Sequence, residues 1–260
     1  NCAYLFEFCE KLKIEKNVGL FKDFKKVELF YGVFKDCKAL NIIPQDLFSG
    51  CSAVTNFSYA FYVTPITKLE RTVIFGEDVA CKDTVNNVSR MFAHCGYLKE
   101  VDNLFQDFIN LNDASNLFFW DNSLKKVSQF AFEGCENIVN IGGMFYKCGE
   151  LVEFGEHAFD DSMSSIKLIS SKGVERNEID KVHYIRDYWH GIFQDCKKLP
   201  KNQTPPLYDH IPFRVPAGAT SFNTNEEFIN YNSYVNCGFD LDYIGAREHV
   251  EEWRIEYIEE

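Results

Sequence analysis

Apolar positions in this chain recur with a long fixed period, which is neither the 3.6-residue period of a helix nor the two-residue period of a strand. Between residues 91 and 159, six units each open on a small or aliphatic residue followed by Phe, and the intervals between these phenylalanines differ by no more than one residue. A period kept through six units is typical of a stacked repeat protein, in which each unit buries its apolar face against its neighbours. The six leading residues are Phe92, Phe105, Phe118, Phe132, Phe145 and Phe159.

The same period extends toward the amino terminus, where six further phenylalanines lead units at closely similar intervals. Because a shorter and a longer interval tend to alternate, one coil comprises two units and about 27 residues, within the 20–29 residues of leucine-rich repeats. A coil of one unit would be too short to enclose a core. The leading residues here are Phe6, Phe21, Phe34, Phe48, Phe61 and Phe75.

Each unit divides into two parts with different local signals. The Phe-x-x-Cys part has no strand alternation, so we expect a turn or a short 3₁₀ segment. The Leu-x-x-Ile/Val part that follows contains β-branched residues and predicts a short strand. Stacked coils would align these strands in parallel, one every ~4.8 Å. The predicted fold is an α/β leucine-rich-repeat solenoid: a right-handed stack of ~27-residue coils with short parallel strands.

Two interruptions and a change of composition divide the chain. The period is broken near 76–87 and again at 160–191, where we expect loops inserted into a solenoid that covers residues 1–200. Residues 201–260 lack the repeat and are rich in Pro, and we expect them to cap the stack. Insertions in repeat proteins usually project from one face and often carry contacts.

Charge and hydropathy exclude several classes of function. The formal net charge of −12 disfavours binding to nucleic acid. No run of about 18 apolar residues is present, so no membrane span is predicted. No signal peptide is visible, but residues 1–5 match residues 94–98 of a later repeat. We therefore expect the natural amino terminus to lie upstream of Asn1.

Seven of the ten cysteines share one position, three residues after a repeat phenylalanine. Phe24 and Phe108 occupy this position in sister units, which indicates an apolar slot where Cys packs as a small hydrophobe. We predict a column of buried free thiols, with disulfides as the alternative; zinc is disfavoured because no Cys-x-x-Cys pair occurs. The seven are Cys9, Cys37, Cys51, Cys95, Cys135, Cys148 and Cys196.

The segments Val33–Cys51 and Ala131–Ile138 resemble the BspA-type leucine-rich-repeat proteins on the surface of anaerobic gut and oral bacteria. Both follow that family's Phe-x-x-Cys-x-x-Leu-x-x-Ile pattern, and Val215–Gly218 (VPAG) is similar to its terminal strand. The resemblance implies export, an extracellular or cell-surface location and a lipid anchor at the missing amino terminus. It also implies adhesion to a host or microbial surface protein or glycan, without an active site or cofactor.

One candidate binding surface is a row of aromatic residues directly after the repeat phenylalanines of alternate units. Tyr62, Phe119 and Tyr146 belong to this row, and Trp120 lies beside it. Aromatic rings at solvent-facing positions suit a glycan or an extended polypeptide. In the alternative interpretation, the rings cover loops or fill a half-buried slot.

A second candidate is the insert, where Arg186, Tyr188 and Trp189 are residue types that dominate interfaces. Alternatively, these side chains pack back onto the stack. His190 and Cys196 are close enough in sequence to form a nucleophilic pair, but Cys196 falls in the buried slot, where a thiol is inert. Since no known catalytic motif or metal-binding loop is present, we predict no enzyme activity, no metal and no cofactor.

The sequence therefore predicts a non-catalytic surface protein that mediates adhesion or binds a protein ligand. Two alternatives stay open. One is a glycan-binding accessory protein, which the aromatic row would favour. The other is an envelope scaffold that binds a sister protein, for which large apolar patches at one end of the stack would be evidence.

Overall fold

The structure is a computed structural model that describes residues 1–14, 19–155, 157–159, 166, 170–175, 186–201 and 237; for residues 170–175 and 186–190 it describes the backbone only. Within these described residues, regular elements are few and short. They are helix α1 (Arg71–Phe75) and strands β1 (Glu100–Val101), β2 (Lys126–Val127), β3 (Glu153–Phe154), β4 (Ser170–Glu175) and β5 (Arg186–Gly191). Turns form most of the remaining described chain.

Parallel pairing joins residues that are one repeat pair apart. Strands β1, β2 and β3 form a parallel sheet in that order, with Val101 opposite Val127 and Val127 opposite Phe154. Each step along this sheet advances the chain by two units, as expected if one coil contains two units. A second line of single parallel bridges follows the other unit of each coil, through Leu29, Asn56, Asn87, Asp113 and Asn140.

Asparagine and aspartate side chains limit each bridge of this second line to a single residue. The Oδ1 atom of Asn56 accepts a hydrogen bond from the Ser58 backbone N–H at 2.7 Å, and Asp113 does the same for Ser115 at 2.9 Å. Such Asx turns offer the backbone a local partner and turn the chain away from a strand. The predicted strands are therefore present but shorter than their apolar pattern suggested.

The repeat phenylalanines form two columns of rings inside the stack. From Phe21 onward, all of them are fully or almost fully buried. Phe92 stacks on Phe118 with ring centroids 5.9 Å apart and planes 6° apart, and Phe118 stacks on Phe145 at 5.6 Å. The alternate column includes Phe105 over Phe132 at 6.0 Å and 6°. Burial of this much aromatic surface is the main apolar contribution to stability.

The break between 160 and 191 is an insertion between two adjacent coils. Phe145 and Phe193 are separated in sequence by much more than one coil, yet their rings stack at 5.9 Å and 5°. The Phe145 N–H also donates to the Ile192 carbonyl at 3.0 Å. Strands β4 and β5 pair antiparallel within the inserted segment, with Ser170 opposite Gly191.

Three expectations need correction. The segment 76–87 does not simply project, because its Val79, Cys81 and Val85 are buried in the core. Helix α1 lies at the end of the unit that Phe61 leads and includes Phe75, whereas the apolar pattern predicted only turns and strands. Cys9 is exposed, unlike the other repeat cysteines, because no described coil lies on the outer side of residues 1–14.

The capping role expected of residues 201–260 falls outside the described residues, apart from 201 and 237. Cys237 is partly buried and packs against the core cluster.

Candidate binding surface

Eight ring-bearing side chains form a continuous line along one side of the stack, which we call the aromatic strip. It crosses six coils, and the five steps of ~4.8 Å between them span about 24 Å. Successive ring centroids along its first part are 5.0 to 5.4 Å apart. The members are Tyr4, Tyr31, Tyr59, Tyr62, His94, Phe119, Trp120 and Tyr146.

The strip is densest where three coils meet. Phe119 stacks on Tyr146 with centroids 4.8 Å apart and planes 21° apart. The His94 ring lies 5.4 Å from Phe119 and 5.5 Å from Trp120. The amide of Asn122, assigned so that its nitrogen faces a carbonyl, accepts a hydrogen bond from Trp120 Nε1 at 3.1 Å and donates to the Lys147 carbonyl at 3.0 Å.

A recurring backbone conformation sets the direction of these side chains. The second residue after the repeat phenylalanine adopts a left-handed conformation in successive coils, with φ of 61° at His94, 61° at Trp120 and 59° at Lys147. This conformation is uncommon for residues other than Gly. Because it recurs at the same position in successive coils of this column, it belongs to the turn of the repeat and not to Trp120 in particular.

The structure brings the predicted row together but buries part of it. Tyr62, Phe119 and Tyr146 follow one line, with Trp120 beside it, as the alternation of units predicted. Tyr146 is only 8% exposed, whereas Trp120 is 40% exposed. The expectation that Tyr146 faces solvent is therefore wrong, because the Phe119 ring covers one of its faces. Phe119 and Tyr62 are half-buried.

Sequence reasoning missed half of the strip. Ala93 interrupts the predicted row, and the His94 ring fills the gap from the next position. Tyr4, Tyr31 and Tyr59 precede a repeat phenylalanine by two or three residues. A search for aromatic residues on both sides of each repeat phenylalanine would have found all four.

Cations lie over several of the rings. The Lys147 Nζ atom is 4.2 Å from the Trp120 ring centroid and 5.2 Å from that of Tyr146. The Arg90 guanidinium is 5.5 Å from the Tyr59 ring centroid and donates to the Tyr59 hydroxyl at 2.9 Å. Such cation–π contacts hold the charge at the surface of the strip.

Neither Tyr62 nor His94 carries a charge near neutral pH. Burial raises the pKa of Tyr62 above its usual value. Burial, and secondly the positive charge of Arg90, lower the pKa of His94, so its imidazole is neutral at pH 7. The positive charges of Arg90 and Lys147 therefore dominate the part of the strip from Tyr59 to Tyr146, which we call its upper half.

Inside the stack, six of the seven repeat cysteines lie in the two columns of repeat units and share one kind of hydrogen-bond partner. Each thiol donates to the carbonyl of the repeat phenylalanine one coil earlier, for example Cys148 to Phe118 at 3.2 Å and Cys196 to Phe145 at 2.9 Å. Cys37, Cys51, Cys95 and Cys135 make the same contact. All six are buried, as predicted, and all ten cysteines have free thiols.

The second candidate surface was the insert. Strand β5 contains Arg186, Tyr188 and Trp189, but their side chains lie outside the described residues.

Among the residues that the structure describes, no cluster of three or more His, Cys, Asp or Glu side chains could hold a metal ion. In the same described part, no helix has the length and apolar character needed to cross a bilayer.

Comparison with known proteins adds little. No known protein-family model matches the chain, and no curated protein matches it. A crystal structure of a leucine-rich cell-surface protein from Faecalibacterium prausnitzii A2-165 is similar at 16% identity, with a TM-score of 0.27. The alignment covers 96% of this chain and 70% of that protein.

Proposed function

We propose that this chain is a leucine-rich-repeat solenoid of BspA type, displayed outside a bacterial cell, and that it binds a protein ligand through the aromatic strip. The observation that carries the proposal is the continuity of the strip, which presents rings and cations from six successive coils on one side of the molecule. Tyr, Trp and Arg are the residue types most enriched at the centres of protein interfaces.

The packing of the rings favours a protein ligand over a glycan. Binding of a sugar by stacking needs an exposed, flat ring face. In the strip, the Phe119 and Tyr146 faces cover each other, and the Lys147 ammonium lies over a face of Trp120. The strip therefore presents ring edges, hydroxyls and cationic groups more than open faces. A glycan-binding accessory role and an envelope scaffold role remain the alternatives.

The environment of the thiols supports a role without catalysis. Burial raises the pKa of Cys37 to about 11 and that of Cys51 to about 12, and it also raises the pKa of Cys196. A thiol that stays protonated and donates to a backbone carbonyl is a poor nucleophile. Cys196, the one cysteine considered for nucleophilic chemistry, thus has a structural role.

An array that mixes glycans with surface proteins tests this function, with the whole chain as the probe. The key variant is Trp120→Ala, because Trp120 is the exposed member of the strip's densest part and its removal leaves the core intact. Phe130→Ala is the matched control, since Phe130 is 45% exposed and outside the strip.

A protein signal that Trp120→Ala weakens by about fivefold or more, and that Phe130→Ala preserves, supports the proposal. A glycan signal with the same pattern would identify a glycan-binding protein instead. A protein signal unaffected by Trp120→Ala would move the site away from the strip, and Arg186→Ala and Tyr188→Ala would then test the insert.

A further inference from the structure

The chain is strongly acidic as a whole, yet the upper half of the aromatic strip carries cations without carboxylate partners. The formal net charge is −12. Five other cations described by the structure are ion-paired, among them Lys35 with Glu7 at 2.6 Å, Lys126 with Glu153 at 3.3 Å and Lys198 with Glu150 at 2.7 Å.

Arg90 and Lys147 differ from these paired residues. Within the described part of the chain, neither lies within 4 Å of a carboxylate, and the contacts of both charged groups are to aromatic side chains of the strip. An aromatic ring attracts a cation but does not neutralise its charge. Both groups can therefore still form ion pairs with a ligand.

The carboxylates nearest the strip in sequence do not cancel this positive charge. Asp121 follows Trp120 directly in sequence, but its side chain is fully buried, and burial raises its pKa well above the usual value. Glu7 and Asp36, near the lower end of the strip, lie 2.6 and 4.0 Å from the Lys35 ammonium. Asp195 occupies the equivalent turn position one coil beyond Lys147, and its carboxylate is not within 4 Å of the Lys147 ammonium. The strip thus has a polarity along the stack, with its unpaired positive charge between the coils of Arg90 and Lys147.

We propose that the ligand of the strip is an acidic, extended polypeptide segment whose carboxylates pair with Arg90 and Lys147. This inference rests on the proposed function and adds the chemical class of the ligand. Charge complementarity selects the occupant, because opposite potentials steer association and suppress wrong partners. The covered ring faces favour a peptide over an anionic polysaccharide for the reason given above.

The geometry also sets the spacing of the acidic residues. The backbones of Arg90 and Lys147 lie two coils apart, which is about 9.6 Å along the stack. An extended chain advances ~3.3 Å per residue, so two acidic residues three or four positions apart match this axial spacing. Adjacent acidic residues match it less well.

Fluorescence anisotropy with labelled peptides tests the proposal. The probe is a 12-residue peptide, otherwise uncharged, with two Glu four positions apart. Three matched peptides carry Gln at both positions, adjacent Glu residues, or Lys at both positions. The protein is the whole chain, as wild type, Lys147→Gln, Arg90→Gln and the control Lys126→Gln, which removes one positive charge from the sheet face.

We expect the spaced Glu peptide to bind, the peptide with adjacent Glu residues to bind more weakly, and the Gln and Lys peptides to bind at least tenfold more weakly. Lys147→Gln and Arg90→Gln should each weaken binding about two- to fivefold, as for other exposed ion pairs. Binding should also weaken as salt rises from 50 to 500 mM, because exposed charges are screened. Lys126→Gln should leave binding unchanged.

Equal binding of the Glu and Gln peptides, equal loss with Lys126→Gln, or no binding of the spaced peptide would overturn the proposal. Binding of polygalacturonate in place of every acidic peptide would replace it with an acidic glycan. A failure of this inference can be distinguished from a failure of the proposed function. If the array shows a protein bound through Trp120, but salt and Lys147→Gln have no effect on it, the strip binds protein and only the acidic class is wrong.

Discussion

The Cys95 backbone N–H donates a hydrogen bond to Asp121 Oδ1 at 2.7 Å, across one coil of the stack. Asp121 occupies the slot that holds Cys in neighbouring coils, three residues after Phe118, and it is fully buried. Its second oxygen, Oδ2, has no hydrogen-bond partner among the described residues. The column of thiols therefore contains one carboxyl group that is poorly suited to its site.

Replacing Asp121 with Cys should stabilise the fold. A Cys at this position can donate to the Phe92 carbonyl one coil earlier, as the other buried repeat cysteines do, and it removes a buried, unpaired oxygen atom. Leaving such an atom unsatisfied costs about 1–3 kcal/mol. We expect Asp121→Cys to increase the free energy of unfolding by about 1–2 kcal/mol in urea melts followed by circular dichroism.

The control for this substitution is Asp78→Cys, at the equivalent position after Phe75. Asp78 is exposed, so its replacement should change stability by less than about 0.5 kcal/mol. A loss of stability in Asp121→Cys would show that the hydrogen bond from the Cys95 N–H to Asp121 stabilises the fold more than the unpaired Oδ2 atom destabilises it.

Asp121 should also make stability depend on pH. Burial raises its folded-state pKa well above the usual value, while in the unfolded chain it titrates near about 3.9. Below about pH 4 the carboxyl is neutral in both states. As the pH rises toward the folded-state pKa, only the unfolded state ionises, so this residue's contribution to stability is progressively lost. The stability advantage of Asp121→Cys over wild type should therefore grow between pH 4 and pH 8; a constant difference would contradict the prediction.

The sequence predicted most of the core but only part of the candidate surface, for physical reasons. Phe92, Phe118 and Phe145 recur because the stack needs the same volume in every coil, and this regularity can be recognised in the sequence. His94 joins the strip because a left-handed turn directs its ring into the gap at Ala93, and apolar periodicity carries no information on backbone handedness. The burial of Tyr146 depends on the ring of the neighbouring coil, which the row of residue types does not show.

The repeat thiols should react with disulfide reagents at very different rates. Burial raises the pKa of Cys51 to about 12, whereas Cys9 is exposed. At pH 8 a thiol with a pKa of about 12 is almost entirely protonated, and only the thiolate attacks. Timed labelling of the native chain, read by peptide mass spectrometry, should modify Cys9 first and Cys51 orders of magnitude more slowly. Labelling in urea provides the control, since all ten cysteines should then react together.

Gly134 tests how closely the coils approach each other. Its φ is +74°, and a Cβ added there would lie 2.8 Å from Asp107 Oδ1 and 3.1 Å from the Asp107 Cα atom of the preceding coil. A left-handed conformation costs an L-residue about 1–2 kcal/mol, before any displacement of the neighbouring backbone. We expect Gly134→Ala to reduce the free energy of unfolding by about 2–3 kcal/mol in urea melts.

Gly149→Ala is the matched control for this substitution. No atom lies within 4 Å of its added Cβ, and its φ is outside the left-handed region. Ala restricts the unfolded chain more than Gly does, so this variant should be neutral or up to about 1 kcal/mol more stable. Equal effects of the two substitutions would mean that the coils around Gly134 can separate at no cost. Such separation is incompatible with Phe105 and Phe132, one in each of those coils, stacking 6.0 Å apart.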